Sequence, residues 1–295
     1  MDEAGAEDWP DGPEGGVRLV STGTDEASAL EVTTELRLLA SGLVALRATV
    51  TNLGADRYEV LHLEPALPVP DVAQELLDTT GRHARERVPQ RLPFAAGQWV
   101  REAWGGRPGH DFPTVLCAGE PGFGFRSGTV WGVHVAWSGN QLVSAERHTS
   151  GWRLLRGGER LLPAEGLLEP GAAYASPWLL GSWGEGLDAL SGRFHDSLRA
   201  RPQHPRGPRP VVLNTWEAVY FDHDLPTLLA LAETAAQIGI ERFVLDDGWF
   251  HARRDDRAGL GDWHVDAQVW PEGLTPLVER VRELGMEFGL WVEPE

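Results

Sequence analysis

Carboxylate and indole side chains occur together at three places in the last third of the chain, each directly after a short apolar run. These segments are 214–217, 246–250 and 291–295, with the sequences NTWE, DDGWF and WVEPE. Paired carboxylate oxygens accept several hydrogen bonds from hydroxyl groups without a metal, and a flat indole packs well against the apolar face of a pyranose. The sequence has no glycine-rich phosphate loop and no Lys, so the combination favours a sugar over a phosphate ligand.

The adjacent pair Asp246 and Asp247 has a functional and a structural interpretation. Two neighbouring carboxylates repel each other and cost stability unless something uses them, whereas a single strand-end Asp often caps the next helix. A magnesium site is a further interpretation, because Mg²⁺ prefers carboxylates and water, and Glu293 could complete the set; no His lies in the three segments. Segment 253–256, Arg-Arg-Asp-Asp, is typical of a solvated loop with local ion pairs.

Short apolar runs alternate with helical periodicity through the region that carries these segments. The pattern predicts three strands and two helices, at 211–215, 224–239, 242–246, 275–285 and 287–292. The buried stripe of the first helix is expected to run from Leu228 to Ile238. Because this order with short connections builds a parallel sheet, and three strands cannot close a barrel, we expect the first part of a (β/α)8 TIM barrel, truncated after Glu295. In such a barrel the site forms at the carboxyl ends of the strands, where the three segments lie.

The residues before this region show the pattern of a β protein. Runs rich in Val, Thr and Leu predict strands at 30–37, 43–52 and 129–137, and Leu187 to Arg201 has helical periodicity. Four prolines within 201–210 interrupt both kinds of element. Three regions are expected: an acidic disordered tail at 1–16, a β-sandwich domain with a C-terminal linker helix at 17–205, and an incomplete catalytic barrel at 206–295.

The composition limits which binding partners and which cellular compartment are to be expected. A net charge of -18, from 26 basic and 44 acidic residues, disfavours binding to nucleic acid or to a membrane surface. Cys117 is the only cysteine and lies in an apolar run, so no intrachain disulfide forms and a buried thiol is expected. The sequence has neither a signal-peptide pattern at its start nor an apolar run of about 18 residues. We therefore expect a cytoplasmic protein.

Longer motifs extend the comparison beyond single residues. Segments 214–221, 243–250, 260–263 and 288–295 resemble, in order and at fitting separations, the early-barrel motifs of glycoside hydrolase family 36 α-galactosidases; segments 87–91, 109–111 and 131–134 resemble the sandwich domain of the same family. The resemblance implies an N-terminal β-sandwich, a (β/α)8 catalytic barrel and a small C-terminal β domain. It also implies hydrolysis of terminal α-linked galactose from oligosaccharides such as melibiose and raffinose, by a retaining double displacement.

The resemblance assigns substrate binding to four residues of this chain. Trp216, Asp246, Asp247 and Trp291 match family residues that line the galactose pocket or bind its hydroxyl groups. A retaining mechanism needs a nucleophile and an acid/base about 5–5.5 Å apart. In the family both come from later barrel strands, the nucleophile from a Lys-Trp-Asp motif. Since this sequence has no Lys, we expect no catalytic residue in this chain and no activity from the chain alone.

The resemblance implies no metal and no organic cofactor, α-galactoside oligosaccharides as ligands, and a homo-oligomer when full length. Two alternatives stay open. One is a galactosyl transferase of the same family that builds oligosaccharides. The other is a non-catalytic, carbohydrate-binding β-sandwich that uses Trp99, Trp104, Trp131 and Trp137 as a platform, although regular alternation favours core packing for Trp131 and Trp137.

Overall fold

The computed structural model describes residues 16–293. All but the last residue of the expected acidic tail, 1–16, lies outside the described residues, as do Pro294 and Glu295. The chain divides into two compact units, with the boundary between His204 and Pro205. Within the described part of the chain, no helix has the length and apolar character needed to cross a membrane.

The first unit is built almost entirely of antiparallel strands. Its elements are β1 (Val17–Asp25), β2 (Leu30–Leu38), β3 (Val44–Asn52), β4 (Tyr58–Glu59), β5 (Ala66–Val69), β6 (Glu75–Arg82), β7 (Arg85–Pro93), β8 (Gly97–Ala103), β9 (Leu116–Gly119), β10 (Thr129–Ala136), β11 (Gln141–Arg147), β12 (Arg153–Glu159), β13 (Leu167–Leu168), β14 (Ala173–Ala175), β15 (Trp178–Glu185) and helix α1 (Gly186–Ala200).

Two of its sheets form a β-sandwich, as the sequence predicted. A nine-stranded sheet runs β1-β2-β3-β15-β10-β9-β6-β7, with β14 beside β3, and a four-stranded sheet runs β5-β12-β11-β8. Side chains from both sheets share one apolar core, including Leu116 and Val135 from the first and Val143 and Leu155 from the second. Alternate residues of each strand turn inward, which is why the sequence shows a period of two.

The predicted strands at 30–37, 43–52 and 129–137 correspond to β2, β3 and β10. The expectation for Trp137 is wrong: β10 ends at Ala136, and Trp137 lies just after the strand with 42% of its surface exposed. The alternation that would have buried this indole stops where the strand stops. Cys117 is a buried free thiol, as expected, and burial raises its pKa to about 12.

The second unit alternates strands and helices. Its elements are β16 (Val212–Asn214), α2 (Trp216–Val219), α3 (Leu225–Gln237), β17 (Arg242–Leu245), α4 (Thr275–Glu283) and β18 (Glu287–Leu290). The three strands pair in parallel in the order β16-β17-β18. The predicted βα units and the three predicted strands are therefore confirmed, while the four-residue helix α2 was not predicted.

Local signals explain where α3 begins and ends. The side chain of Asp224 accepts a hydrogen bond from the backbone N–H of Thr227 at 2.9 Å and caps the first turn. Gly239, with φ at +88°, takes the left-handed conformation that ends the helix. The predicted stripe is correct at Leu228 but wrong at Ile238, which is 72% exposed, because the helix ends at Gln237 and the helical period no longer sets the side-chain direction.

The core of the second unit lies between its helices and its sheet. Leu228 and Ala232 of α3, Phe243 and Leu245 of β17, and Leu277 of α4 are fully buried in one cluster. Five such side chains on three elements fix the helices against the sheet. This packing holds the carboxyl ends of the strands, and the segments that follow them, in place.

Candidate functional site

The parallel register brings the carboxyl ends of the three strands to one edge of the sheet. Hydrogen bonds of the ladder continue just beyond the strands, from the N–H of Thr215 to the carbonyl of Val244 at 3.0 Å and from the N–H of Trp291 to the carbonyl of Leu245 at 2.9 Å. Trp216, Asp246 and Trp291 therefore follow neighbouring strands at the same edge. We call the residues at this edge the strand-end cluster: Asn214, Thr215, Trp216, Asp246, Asp247, Trp249 and Trp291.

Asp246 is held by the end of the neighbouring strand. Its carboxylate accepts hydrogen bonds from the side-chain amide of Asn214 and, at 2.7 Å, from the backbone N–H of Asp247. Its own N–H donates to the hydroxyl of Thr215 at 3.1 Å. Asp246 is buried, and these donors offset the cost of taking its charge out of water. The sequence placed Asn214 and Thr215 at the strand end but gave no sign that they orient Asp246.

Asp247 forms an ion pair with Arg253. The guanidinium Nε lies 3.0 and 3.1 Å from the two carboxylate oxygens, and Nη2 lies 2.8 Å from Oδ2. Both side chains are buried, at 8% and 9% exposure. The hydrogen bond from Arg253 to Asp247 raises the pKa of the guanidinium, against the opposing effect of burial. The repulsion expected between neighbouring carboxylates is thus offset by a buried cation.

The expectation of a solvated loop at 253–256 is wrong for Arg253, which is buried, whereas Arg254 is exposed and ion-paired, as expected. Arg253 folds back onto Asp247, and Arg254 donates to the carbonyl of Gly248 at 2.6 Å and forms an ion pair with buried Asp266 at 3.3 Å. The two aspartates that follow are exposed. A guanidinium on a long stem reaches back to a strand end six residues earlier, which a local reading of charges does not show.

The indoles of the cluster differ in role. Trp249 is buried, and its Nε1 donates to the carbonyl of Trp291 at 2.9 Å, which ties the end of β17 to the end of β18. Trp216 and Trp291 are half-buried and so keep part of their surface accessible. Trp216 packs edge to face against Tyr220 and Phe221, each at 5.1 Å between ring centres. These contacts fix the orientation of an indole that keeps accessible surface.

A buried histidine beside the cluster was missed by the sequence analysis. His223 is 7% exposed, and neither ring nitrogen makes a hydrogen bond of normal geometry, although backbone groups of Tyr220 and Asp247 lie near enough to act against the lowering of its pKa. Burial, together with the charge of Arg254, lowers its pKa to about 4. Its ring stands edge to face with Trp270 at 5.8 Å, and a Cβ on Gly248 would lie 3.3 Å from it. A polar residue in a loop between two helices usually faces solvent, so the sequence held no signal for its burial.

The donor set does not resemble a metal site. Among residues 16–293, no group of three or more His, Cys, Asp or Glu side chains is arranged to hold an ion. Both oxygens of Asp247 face the guanidinium of Arg253, which supplies the positive charge that a metal would otherwise supply. The magnesium interpretation of Asp246, Asp247 and Glu293 therefore has no geometric support.

A cavity of about 660 Å³ lies beside β18, away from the strand-end cluster. It is lined by the bodies of β17 and β18, including Val244, Phe288 and Leu290, and by none of the four predicted substrate-binding residues. Its lining combines apolar side chains with charged ones, and it contains a single carboxylate, that of Glu287, and no indole. The cavity and the predicted sugar site are separate features.

The tryptophans of the sandwich do not form one platform. Trp99 and Trp131 are partly buried against the sandwich core, and the Nε1 of Trp99 donates to buried Asp78 at 3.2 Å. Trp104 is exposed but carries the guanidinium of Arg160 over its ring at 4.6 Å. Two of the four indoles proposed for carbohydrate binding therefore serve packing.

Comparison with known families and structures gives the same picture as the motifs. The model of the glycosyl hydrolase family 36 N-terminal domain matches residues 10–169, and the melibiase model matches residues 173–295. An α-galactosidase of Escherichia coli is 39% identical over 279 residues, which cover 93% of this chain and 39% of the relative.

Solved structures show the same arrangement. The α-galactosidase AgaB of Geobacillus stearothermophilus has a TM-score of 0.85 at 33% identity, over 95% of this chain and 40% of its own. Variants of AgaA from the same organism, solved in complex with stachyose and with raffinose, have TM-scores of 0.86 and 0.85 at 32% identity and the same coverage of 95% and 40%. The chain thus spans about 40% of the length of these relatives. It belongs to glycosyl hydrolase family 36.

Proposed function

We propose that this protein is an α-galactosidase and that the chain supplies the part of its active site that binds galactose. The observation that carries the proposal is the strand-end cluster, where Asp246 and Asp247 lie between two half-buried indoles, Trp216 and Trp291. Relatives named as α-galactosidases match this region. Homologous structures with bound stachyose and raffinose support α-galactoside oligosaccharides as the substrate class.

The cluster suits recognition of a pyranose through its hydroxyl groups. Each carboxylate oxygen can accept two hydrogen bonds, so Asp246 and Asp247 keep acceptor positions beyond those that their protein donors fill. Ionised acceptors form stronger hydrogen bonds with hydroxyl groups than neutral ones do. The indoles of Trp216 and Trp291 offer apolar surface to the carbon face of the sugar. Binding of this kind needs neither a metal nor an organic cofactor.

Neither Asp246 nor Asp247 is suited to attack an anomeric carbon. Asp246 accepts hydrogen bonds from Asn214 and a backbone N–H, and Asp247 is ion-paired with Arg253, so both carboxylates are held and partly neutralised. A retaining double displacement needs a separate nucleophile and an acid/base about 5–5.5 Å apart. We assign these roles to residues outside this chain, in line with the absence of the family's Lys-Trp-Asp motif.

The proposal is tested by cloning the complete open reading frame and assaying an aryl α-galactoside with and without a chelator. We expect turnover that the chelator leaves unchanged, and release of galactose first as the α-anomer, read by NMR of the nascent sugar. The matching aryl α-glucoside serves as the control for hydroxyl recognition. No turnover of the galactoside, or turnover lost to the chelator, would refute the proposal.

Product analysis at high acceptor concentration separates hydrolysis from transfer. A hydrolase releases free galactose as its main product even with excess raffinose, whereas a transferase yields longer oligosaccharides. The 295-residue chain on its own is expected to show no turnover, since it offers no free carboxylate pair for double displacement among its strand-end residues. Turnover by the chain alone would show that the catalytic residues are misassigned.

A further inference from the structure

The guanidinium of Arg253 fixes the carboxylate of Asp247 in one orientation. Three nitrogen-to-oxygen distances between 2.8 and 3.1 Å define the contact, with Nε facing both oxygens and Nη2 facing Oδ2. A further N–H of Arg253 donates to the carbonyl of Ala258. A planar fork of this kind restricts rotation of the carboxylate, which a single point charge would not do.

The contact leaves acceptor capacity on Asp247. A carboxylate has about four lone-pair positions, and the arginine fork occupies one side of the group. At least one position on the carboxylate therefore remains for a ligand hydroxyl. Because Arg253 is buried with its partner at 9% exposure, it does not itself reach a ligand in solvent.

Arg253 also connects two strand ends. Its guanidinium carbon lies 5.5 Å from the ring centre of Phe221, which follows α2. Phe221 in turn packs edge to face against Trp216 at 5.1 Å. The carboxylate of Asp247 and the indole of Trp216 are thus braced by the same cation.

We propose that Arg253 is a positioning residue for galactose recognition: it aims the ionised carboxylate of Asp247, and through Phe221 the indole of Trp216, at the sugar. This inference rests on the proposed function. It adds a residue that sequence reasoning placed in a solvated loop. Arg253 acts through Asp247 and is not itself a catalytic residue.

The charged and titratable groups around Asp247 determine what the loss of Arg253 would do to this carboxylate. They are Arg253, the neighbouring carboxylate of Asp246, and His223, which interacts with Asp247 and whose pKa of about 4 keeps it neutral near pH 7. Arg254, which lies in the same loop as Arg253, lowers the pKa of His223. Without Arg253, no cation pairs directly with Asp247, and the fork no longer holds the carboxylate in the orientation that leaves an acceptor position for a sugar hydroxyl.

The kinetic test uses Arg253→Gln and Arg253→Lys in the complete open reading frame, with Arg280→Gln as the matched control. Arg280 pairs with Glu233 and Glu283 on the surface of α3 and α4, outside the cluster. We expect Arg253→Gln to lower kcat/KM for an aryl α-galactoside about 10- to 100-fold, mainly through KM. Arg253→Lys keeps the charge but not the fork and should fall in between, while Arg280→Gln matches wild type.

The split between KM and kcat separates positioning from a general loss of structure. Arg253→Gln should raise KM and leave kcat close to wild type, and in an Asp247→Asn background the same substitution should change KM little further. Normal kinetics in Arg253→Gln, or a fall in kcat with KM unchanged, would overturn the inference while leaving the proposed function intact.

Thermal unfolding of the same proteins tests the ion pair between Arg253 and Asp247 without any substrate. We expect Arg253→Gln to lower Tm, and Asp247→Asn to raise Tm in the Arg253→Gln background but lower it in wild type. Equal effects of Asp247→Asn in both backgrounds would refute the pairing. If wild type does not cleave α-galactosides at all, the proposed function fails, and this unfolding cycle alone determines whether Arg253 positions Asp247.

Discussion

Replacement of His223 by Phe is expected to reduce the loss of unfolding free energy that the second unit undergoes as the pH falls. His223 is buried, neither ring nitrogen makes a hydrogen bond of normal geometry, and its pKa is lowered from 6.5 to about 4, first by burial and then by Arg254. The unfolded chain has no such constraint, so its imidazole titrates near 6.5. Between the two pKa values the unfolded state binds a proton that the folded state does not.

The sign and the size of the effect follow from that difference. Above pH 6.5 the imidazole is neutral in both states, and stability is unaffected by it. As pH falls from 6.5 towards 4, protonation favours the unfolded state at about 1.4 kcal/mol per pH unit. For the shift of His223, from 6.5 to about 4, the total loss is about 3 kcal/mol.

Urea unfolding followed by Trp fluorescence at a series of pH values between 7.5 and 4 measures this loss. Other groups also titrate in this range, so the informative quantity is the difference in unfolding free energy between wild type and His223→Phe at each pH. That difference should move in favour of the variant by about 3 kcal/mol on acidification. His264→Phe, which removes an exposed imidazole from the same unit, serves as the control.

The reasoning would be refuted by a constant difference between wild type and His223→Phe across the range. That result would mean that the imidazole has the same pKa in the folded and the unfolded state. Equal slopes in His223→Phe and His264→Phe would lead to the same conclusion. A variant with a changed slope but unchanged stability at pH 7.5 is compatible with the account, since only the pH dependence is assigned to titration.

Three further predictions concern the core, the site and the sandwich. Leu277→Ala should lower the unfolding free energy by about 2–5 kcal/mol in urea titrations, because Leu277 is fully buried between α4 and the sheet. Asp246→Asn in the complete protein should lower kcat/KM for an aryl α-galactoside about 10- to 100-fold. Although burial opposes the change, hydrogen bonds from Arg18 and Arg37 lower the pKa of Glu35 to about 2, so acid unfolding between about pH 4.5 and 2 should include a stability loss that Glu35→Gln lacks.

Each of these three has a contrary result. A loss below about 1 kcal/mol for Leu277→Ala would place this side chain outside the packed core. Unchanged kinetics in Asp246→Asn would show that this carboxylate does not bind the substrate. Parallel acid-unfolding curves for wild type and Glu35→Gln would show that the arginines do not depress the pKa of Glu35.

Much of the fold was predictable because local chemistry and tertiary structure agree. The cap at Asp224 and the left-handed Gly239 bound α3 as the sequence indicated. The period of two in β10 and the mixed pattern after Pro210 separated the sandwich from the βα units. Where an element ended earlier than the pattern, as at Trp137 and Ile238, the predicted burial failed.

The positions of the candidate acceptors and indoles at the strand ends were predictable, but the contacts that hold them were not. Asp246, Asp247, Trp216 and Trp291 stand at strand ends, and strand ends are visible in the sequence. Arg253 could not be assigned, because its partner depends on how a loop folds back rather than on spacing. His223 likewise reveals its burial only in three dimensions.

A crystal structure of the complete protein with bound galactose tests the central claim most directly. The account predicts galactose at the strand-end cluster, with hydroxyl oxygens about 2.6–3.2 Å from the carboxylates of Asp246 and Asp247 and with carbon atoms against Trp216 or Trp291. The arginine fork on Asp247 should persist in the complex. Galactose bound elsewhere, or bound at this edge without a hydroxyl contact to either aspartate, would contradict the account.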